Sequence, residues 1–569
     1  MYIRRKNMKK IISVLLALTM IFSMGVIGVS AEEANELKVT VANDLHYNHD
    51  GKATNTNAVY TTDYANKVST GQLRLENELI INEFLNRAEG DIILLPGDIT
   101  DNGTEAEHAY MAAKLEAFEA ATGKRVFLIP GNHDYMQHRG GKMNAEKMKA
   151  NYLALCYGEA ITVDTETASY VAELDSEYRL LAIDATTKPG QDQNLDERLY
   201  SWIEAQLKTA EAEGKKVIAI SHYNLLEHLL FMEYLHAGSI LAPELDIPEL
   251  FAQYNVKYTF TGHTHDHDIA SYTGSNGNTI YDVVTIALNA YPCSYREVTF
   301  GENVKFETKF VDSIDTSSLK GKITDATYTQ ATENFTEYAY TMFAEGMKPV
   351  VTSFISVDKV TSALKLDKEK DAEIYALLES LIANAKELIK MPLYKADETE
   401  EGMSIESIVA PYGVTLPETE YKDVLSFGVD VYITYMLGDE NMNVLTKEFS
   451  LLTSVFNGIF KYLLADVDGE AYASVMSYAC SFLGADIPVD FFKYAGSGVS
   501  KAQGIDIFMT AVATPVLLEI VTDKDVADNN VTLEGYGAEY EEPAELSFFD
   551  KLVKFFKDIF AYILRIFGF

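Results

Sequence analysis

Five short motifs follow one another along this 569-residue chain: Asp44-Leu45-His46, Gly97-Asp98, Gly131-Asn132-His133-Asp134, His222 and Gly262-His263-Thr264-His265. They offer carboxylates, imidazoles and an amide oxygen, the donor mix that hard-to-borderline divalent metals accept. Singly none is specific, because a lone Asp-x-His or Gly-Asp pair is common in turns. The ordered set, with each member placed after an apolar run, points to ligands for two metal ions. Asp44 and His46 stand two apart, and in an extended segment such side chains share a face, so both can reach one ion. His263 and His265 repeat that spacing. Asp98 follows an apolar run and a glycine, where a carboxylate can give one oxygen to each of two ions. Asn132 adds a neutral oxygen, and His222 adds an imidazole directly after Ile220-Ser221.

Short apolar runs must position these motifs. They are Leu37 to Ala42, Asp91 to Leu95, Arg125 to Ile129, Tyr178 to Ile183, Lys216 to Ile220 and Val256 to Phe260. Strand-sized runs separated by helical stretches predict an α/β domain with a buried sheet from about Leu37 to Val311. The motifs fall just beyond the C-terminal ends of the runs, where open α/β sheets gather their ligands. From about Ser313 the texture changes. Ile374, Leu377, Leu378, Leu381, Ile382, Ala385, Leu388 and Ile389 form one 3.6-residue stripe, which predicts an amphipathic helix from Asp367 to Met391. Asp367 can cap its start, and Pro392 stops it. Further apolar helical stretches cover Val424 to Leu437, Asn443 to Leu464, Glu470 to Leu483 and Ile505 to Val521. No metal-ligand cluster falls in this region, which reads as a second, mainly helical domain.

The formal charge of −38 argues against wrapping nucleic acid, which requires a basic footprint. It suits a soluble, self-repelling extracellular protein. Residues 1–31 read as a secretion signal: Arg4, Arg5, Lys6, Lys9 and Lys10, an apolar run from Ile11 to Ile27, then Val29-Ser30-Ala31 at a cleavage position. Three scattered cysteines, Cys156, Cys293 and Cys480, are too few for a disulfide framework or a Cys-type zinc site. The expected division is therefore 1–31 signal, 32–312 α/β domain, 313–540 mainly helical domain, and 541–569 acidic linker and amphipathic tail. Charges interrupt the tail from Phe548 to Phe569, so it is too short to span a bilayer. It reads either as an interfacial helix on a membrane or cell-surface partner, or as a terminal helix docked on the helical domain.

The motif residues resemble the calcineurin-like metallophosphoesterase superfamily from about Leu37 to Val311. Within it the chain looks most like the bacterial cyclic-nucleotide-phosphodiesterase-like branch. The features are Gly97-Asp98-Ile99-Thr100-Asp101-Asn102-Gly103, Ile129-Pro130-Gly131-Asn132-His133-Asp134, and Leu195-Asp196-Glu197 running into Trp202 and Leu207. The resemblance implies a four-layer α/β/β/α sandwich. It implies that Asp44, His46 and His265 bind a first metal, that Asn132, His222 and His263 bind a second, and that Asp98 bridges them. It makes His133 the proton donor or phosphate contact and Asp101 the carboxylate that orients it. Asp101 also occupies the place where purple acid phosphatases carry a tyrosine ligand, so a tyrosine-ligated iron is not expected.

Two divalent ions, with manganese, iron or zinc foremost, would activate a water for in-line attack on phosphorus. The expected activity is a secreted phosphoesterase that favours diesters, on a small phosphate ester or a surface phosphopolymer. The alternatives are a phosphomonoesterase or nucleotidase, and a cell-surface binding protein with a degenerate phosphoesterase domain. His49, His228, His236 and His267 read as surface or loop histidines rather than ligands. Tyr291 and Arg296 read as structural more than substrate-contacting. The polar stretch from Tyr47 to Ser69 lies beside the first motif and either shapes the pocket or forms a surface loop.

Overall fold

The apolar runs fold as strands, and burial on both faces explains why they read as nearly unbroken apolar sequence. A computed structural model describes residues 36–48, 72–135, 143–186, 195–395, 402–522 and 526–537, apart from positions 231, 233–235, 237, 439, 441, 486, 488 and 499. The described strands are β1 (Leu37–Val41), β2 (Ile92–Pro96), β3 (Arg125–Ile129), β4 (Ala160–Val163), β5 (Tyr170–Glu173), β6 (Tyr178–Ile183), β7 (Lys216–Ser221), β8 (Tyr258–Thr261), β9 (Asp268–Thr273), β10 (Thr279–Val284), β11 (Ser294–Phe300), β12 (Asn303–Phe310) and β13 (Asn530–Glu534). One sheet has the order β13-β12-β11-β1-β2-β3, and the other β4-β5-β6-β7-β8-β10-β9. β1, β2 and β3 run parallel, as do β6, β7, β8 and β10.

Helices α1 (Asn77–Arg87) and α2 (Glu105–Thr122) pack on the first sheet through Ile80, Phe84, Met111 and Leu115. Alternation along β6 and β7 separates two cores. Leu180, Ala182, Ile218 and Ile220 join the interior between the sheets with Val39, Val41 and Phe300. Leu181, Ile183, Val217 and Ala219 turn the other way and meet Leu199, Ile203 and Leu207 of α3 (Glu197–Ala212). Each fully buried Val, Leu or Ile side chain among these contributes about 1.5–3 kcal/mol. The result is an α/β/β/α sandwich. A capping box of Thr104 and Glu107 starts α2, which fixes the exit of the loop that carries Asp98.

The principal later helices are α4 (Phe335–Phe354), α5 (Ala372–Leu388), α6 (Val424–Met436), α7 (Lys447–Leu464) and α8 (Gly469–Phe482). Phe335, Tyr338, Ala339 and Met342 of α4 enter the sandwich core. Val429, Tyr432, Ile433 and Met436 of α6 cluster with Leu229, Met232, Ile286 and Ala287 of the sandwich. Two further apolar cores hold the remaining helices.

The structure departs from the sequence expectation in the bounds of the helix at 367–391 and in the make-up of the stretch 313–540. The helix expected from Asp367 begins at Ala372, because Asp367 spends its carboxylate on the N–H groups of Glu369 and Lys370 in a preceding turn. It ends at Leu388, with Leu378, Ile382 and Leu388 buried. The stretch 313–540 is mainly helical but also returns β13 to the first sheet, antiparallel to β12. All three cysteines are buried free thiols. The signal expected at 1–31, the linker and tail at 541–569, and His49 lie outside the described residues, and only Tyr47 and Asn48 of the 47–69 stretch are described.

Candidate metal centre

The five motifs meet at the C-terminal ends of strands from both sheets. Asp44 and His46 follow β1, Asp98 follows β2, Asn132 and His133 follow β3, His222 follows β7, and His263 and His265 follow β8. Asn43 donates to the Thr261 carbonyl and so ties the first motif to the last. Asp134 ties two more, because its carboxylate accepts from the backbone N–H groups of Ile99 at 3.1 Å, Thr100 at 2.9 Å and Gly131 at 2.9 Å. The glycines make room. A Cβ at Gly97 would lie 2.4 Å from the His222 ring, and one at Gly131 would lie 2.2 Å from Asp98 Oδ1.

The extended geometry expected for the paired ligands is not what forms. Asp44, His46, Asp98, His263 and His265 all have left-handed backbone, with φ of 49°, 44°, 48°, 73° and 60°. Non-glycine residues held there cost of order 1–3 kcal/mol each and persist only where surrounding structure imposes them. The paired ligands converge because the chain curls after the strand, not because alternate side chains share a strand face.

The donor atoms form two adjoining sets. In the first, Asp44 Oδ1, His46 Nε2 and His265 Nε2 are separated by 3.8, 3.5 and 3.1 Å. The corners of that triangle lie about 2 Å from its centre, the length of a metal–nitrogen or metal–oxygen bond. In the second, Asn132 Oδ1 lies 2.9 Å from both His222 Nε2 and His263 Nδ1. Asp98 Oδ2 stands between them, 3.8 Å from His46 Nε2 and 3.4 Å from His222 Nε2. The donor sets therefore fit two ions with a shared carboxylate. The imidazole of His222 donates from Nδ1 to the Pro96 carbonyl at 3.1 Å, which turns the Nε2 lone pair toward the site. His133 also offers an atom within ligand-like distance of His46 and Asp98.

His133 and Asp101 come together, but differently from the expectation. His133 Nδ1 donates to the Asp101 main-chain carbonyl at 2.9 Å, whereas the Asp101 carboxylate stays 3.7 Å away. That carboxylate instead takes Arg74 at 2.8 Å and Asn48 at 3.3 Å. The His133 ring is 19% exposed, whereas Asp44, His46, Asp98 and His222 are essentially sealed.

Burial opposes charge on every group here, and neighbours decide the outcome. For Asp98 burial is outweighed by His222, His133 and His46, which hold its carboxyl well below the usual range. His222 loses to burial but gains more from Asp98 and rises to about 9. His265 rises because Asp44 outweighs its burial. Burial drives His46 and His263 well down, with help from His133 and His222 respectively. Metal binding requires neutral imidazoles, so loading would release the proton that Asp98 favours on His222.

His228 and His267, read as surface or loop histidines, do lie in loops, but their side chains are buried there. His228 lies between Asp268 at 2.5 Å and Asp282 at 3.0 Å, and His267 Nε2 pairs with Thr308 Oγ1 at 3.1 Å. His236 is half-buried, and burial, with His265 beside it, pulls it down to about 4. Arg296 is fully buried and donates to Thr285, Val284 and Asp528. The Tyr291 ring packs on Tyr340 at 5.4 Å. Sequence reasoning missed Arg74, and also Asn77, whose amide donates to the Leu45 carbonyl at 2.7 Å. Neither stands in a motif.

Residues 37–267 match the family model for calcineurin-like phosphoesterase, which supports a place in that superfamily for this part of the chain. A curated relative, the probable glycerophosphodiester phosphodiesterase GpdQ of Arcobacter nitrofigilis, is 26% identical over 176 residues. The match covers 31% of this chain and 56% of that protein, so the chain spans little more than half of the relative's length. Among solved structures, a dimetal phosphatase from Danio rerio is 12% identical and aligns over 48% of this chain and 96% of its own, with a TM-score of 0.34. A Thermus thermophilus protein is 8% identical over 48% of this chain and 99% of its own, with a TM-score of 0.28.

Proposed function

We propose that this chain is a dinuclear-metal-dependent phosphoesterase that favours diesters. One observation carries the reading: the Asp98 carboxylate stands between two complete donor sets, 3.8 Å from His46 and 3.4 Å from His222. Asp44, His46 and His265 would hold one divalent ion, and Asn132, His222 and His263 the other, with Asp98 shared. Manganese, iron and zinc all suit this nitrogen and oxygen set. Such ions supply Lewis-acid activation of water and neutralise phosphoryl charge.

The chain's own residues orient ligands and handle the proton. Pro96 fixes the His222 tautomer, and the backbone N–H of His133 donates to Asp98 Oδ1 at 2.7 Å, which aims the shared carboxylate. With its Nδ1–H held by the Asp101 carbonyl, His133 would act in its imidazolium form, passing the Nε2 proton to a departing alkoxide and leaving as the neutral Nδ1–H tautomer. The likeness to a probable glycerophosphodiester phosphodiesterase supports the diester preference. The basic-then-apolar stretch at 1–31 supports export, and the amphipathic stretch at 548–569 supports peripheral contact with a membrane or cell surface.

The test is hydrolysis of bis-p-nitrophenyl phosphate and p-nitrophenyl phosphate side by side, after chelation and after return of Mn²⁺ or Zn²⁺. The reading expects metal-dependent cleavage with the diester faster. A faster monoester would indicate a phosphomonoesterase or nucleotidase. Cleavage of neither substrate, with metal bound, would point to a narrow-substrate enzyme or a binding protein.

A further inference from the structure

The helical segment does more than cover the sandwich, because two of its contacts end on the backbone that carries metal ligands. The first starts at Tyr338 in α4, whose hydroxyl donates to Glu76 Oε1 at 2.6 Å, both residues being fully buried. Glu76 adjoins Asn77 at the head of α1, and Asn77 Nδ2 donates to the Leu45 carbonyl at 2.7 Å. Leu45 is the residue between Asp44 and His46. The second contact lies at the end of α6, where the Met436 carbonyl accepts the His267 N–H at 2.8 Å, two residues beyond His265. Two residues after Met436 stands Gly438, at φ 70°, so close that a Cβ would lie 2.1 Å from the His267 carbonyl oxygen. Asp528, after the last helix, accepts the Ile269 N–H at 2.8 Å and continues the same clamp.

We infer that the helical segment is a positioning element for one of the two ions, holding the left-handed backbone of Asp44, His46 and His265 through Tyr338–Glu76–Asn77 and through Met436–Gly438. This inference rests on the metal assignment proposed above. All three ligands of the first set lie on these two clamped loops. In the second set, Asn132 and His222 are held from within the sandwich, by the Asp134 bonds to Gly131 and Thr100 and by the Pro96 carbonyl. His263 shares the second clamped loop, but its own N–H is also anchored on Asp44 Oδ2 at 3.1 Å. The clamps therefore act unequally on the two sites.

The experiment is calorimetric titration of the chelated full-length chain with Mn²⁺, for wild type, Tyr338→Phe, Gly438→Ala and Tyr536→Phe, with a thermal melt of each. Tyr536→Phe is the control, because its hydroxyl bonds the Val217 carbonyl at 2.5 Å, at the opposite end of the strands from the ligands. Wild type should bind two ions. Tyr338→Phe and Gly438→Ala should weaken one binding event by about 10–100-fold, the usual effect of losing support behind a ligand. The other event should stay close to wild type, and the control should lower the melting temperature without changing either. Equal weakening of both events, no weakening, or the same loss in the control would overturn the inference. Tyr338→Phe keeps the ring in place and so decides the matter even where Gly438→Ala does not fold. Wild type binding fewer than two ions would overturn the metal assignment itself, which is a distinct result.

Discussion

Replacing Asp98 with asparagine preserves side-chain shape and removes one negative charge from the middle of the site. Its Oδ2 lies 3.4 Å from His222 Nε2 and 3.8 Å from His46 Nε2, and its Oδ1 accepts the His133 N–H at 2.7 Å. An ion bound by either donor set would therefore sit within about 4 Å of this carboxylate. Unit charges at that separation interact by about 4 kcal/mol at an effective dielectric of about 20. Removing the charge should cost at least that much for one divalent ion, about a thousandfold in affinity. The amide keeps one acceptor oxygen, so it can satisfy His133 or an ion but not bridge both sets. Asp98→Asn should then load one ion about a thousandfold more weakly and lose turnover on bis-p-nitrophenyl phosphate by a comparable factor at fixed Mn²⁺. Calorimetry and rate measurements across a Mn²⁺ series give the two numbers independently. Wild-type affinity for both ions together with wild-type turnover would refute the reasoning, because Asp98 would then not be the shared ligand.

His133→Ala should keep both ions and lower kcat by about 10²–10⁴-fold, the usual worth of a general acid. If that variant instead loses an ion, the grouping of His46, Asp98 and His133 is a ligand set and the proton role falls. His228 gives a pH signature. Burial opposes its charge, but Asp282 and Asp268 outweigh burial and raise it to about 10. The unfolded value is about 6.5, so its contribution to stability is fully present below about pH 6.5 and is lost as pH rises through about 10. Denaturant unfolding should show wild type losing stability between pH 7 and pH 10. His228→Ala should be less stable at pH 7 by about 3–5 kcal/mol, as for a buried ion pair stripped of one partner. It should also show a shallower pH dependence, and an unchanged slope would contradict the charged state assigned to His228.

The ligand set was legible because each member follows an apolar run, and parallel strands with both faces covered leave such runs nearly unbroken. That logic brings Asp44, His46, Asp98, Asn132, His222, His263 and His265 to one edge, and the structure does place them together; their division into two ligand sets came from the family resemblance. The local geometry was not legible. Spacing of two suggested extended backbone at Asp44 and His46, whereas both residues are left-handed, a state imposed by tertiary contacts such as Asn77 on the Leu45 carbonyl. Asp101 orients His133 through its main-chain oxygen, and a carbonyl carries no sequence signature. The burial of the His228 side chain was not legible, because its partners, Asp268 and Asp282, lie 40 and 54 residues away. The helix α4 was not anticipated, since Gly346 and Pro349 interrupt its pattern. β13 is five residues long and follows more than two hundred residues of mainly helical chain, so only pairing with β12 reveals it.

The most direct test of a dinuclear centre is paramagnetic resonance of the chelated chain during titration with Mn²⁺, with diester hydrolysis measured on the same samples. Ions sharing a carboxylate should lie about 3.5–4 Å apart and couple magnetically. The account predicts two equivalents bound, a coupled two-ion spectrum that grows with the second, and hydrolysis that follows the coupled signal. A single equivalent, or two ions with uncoupled spectra and activity complete after the first, would contradict it.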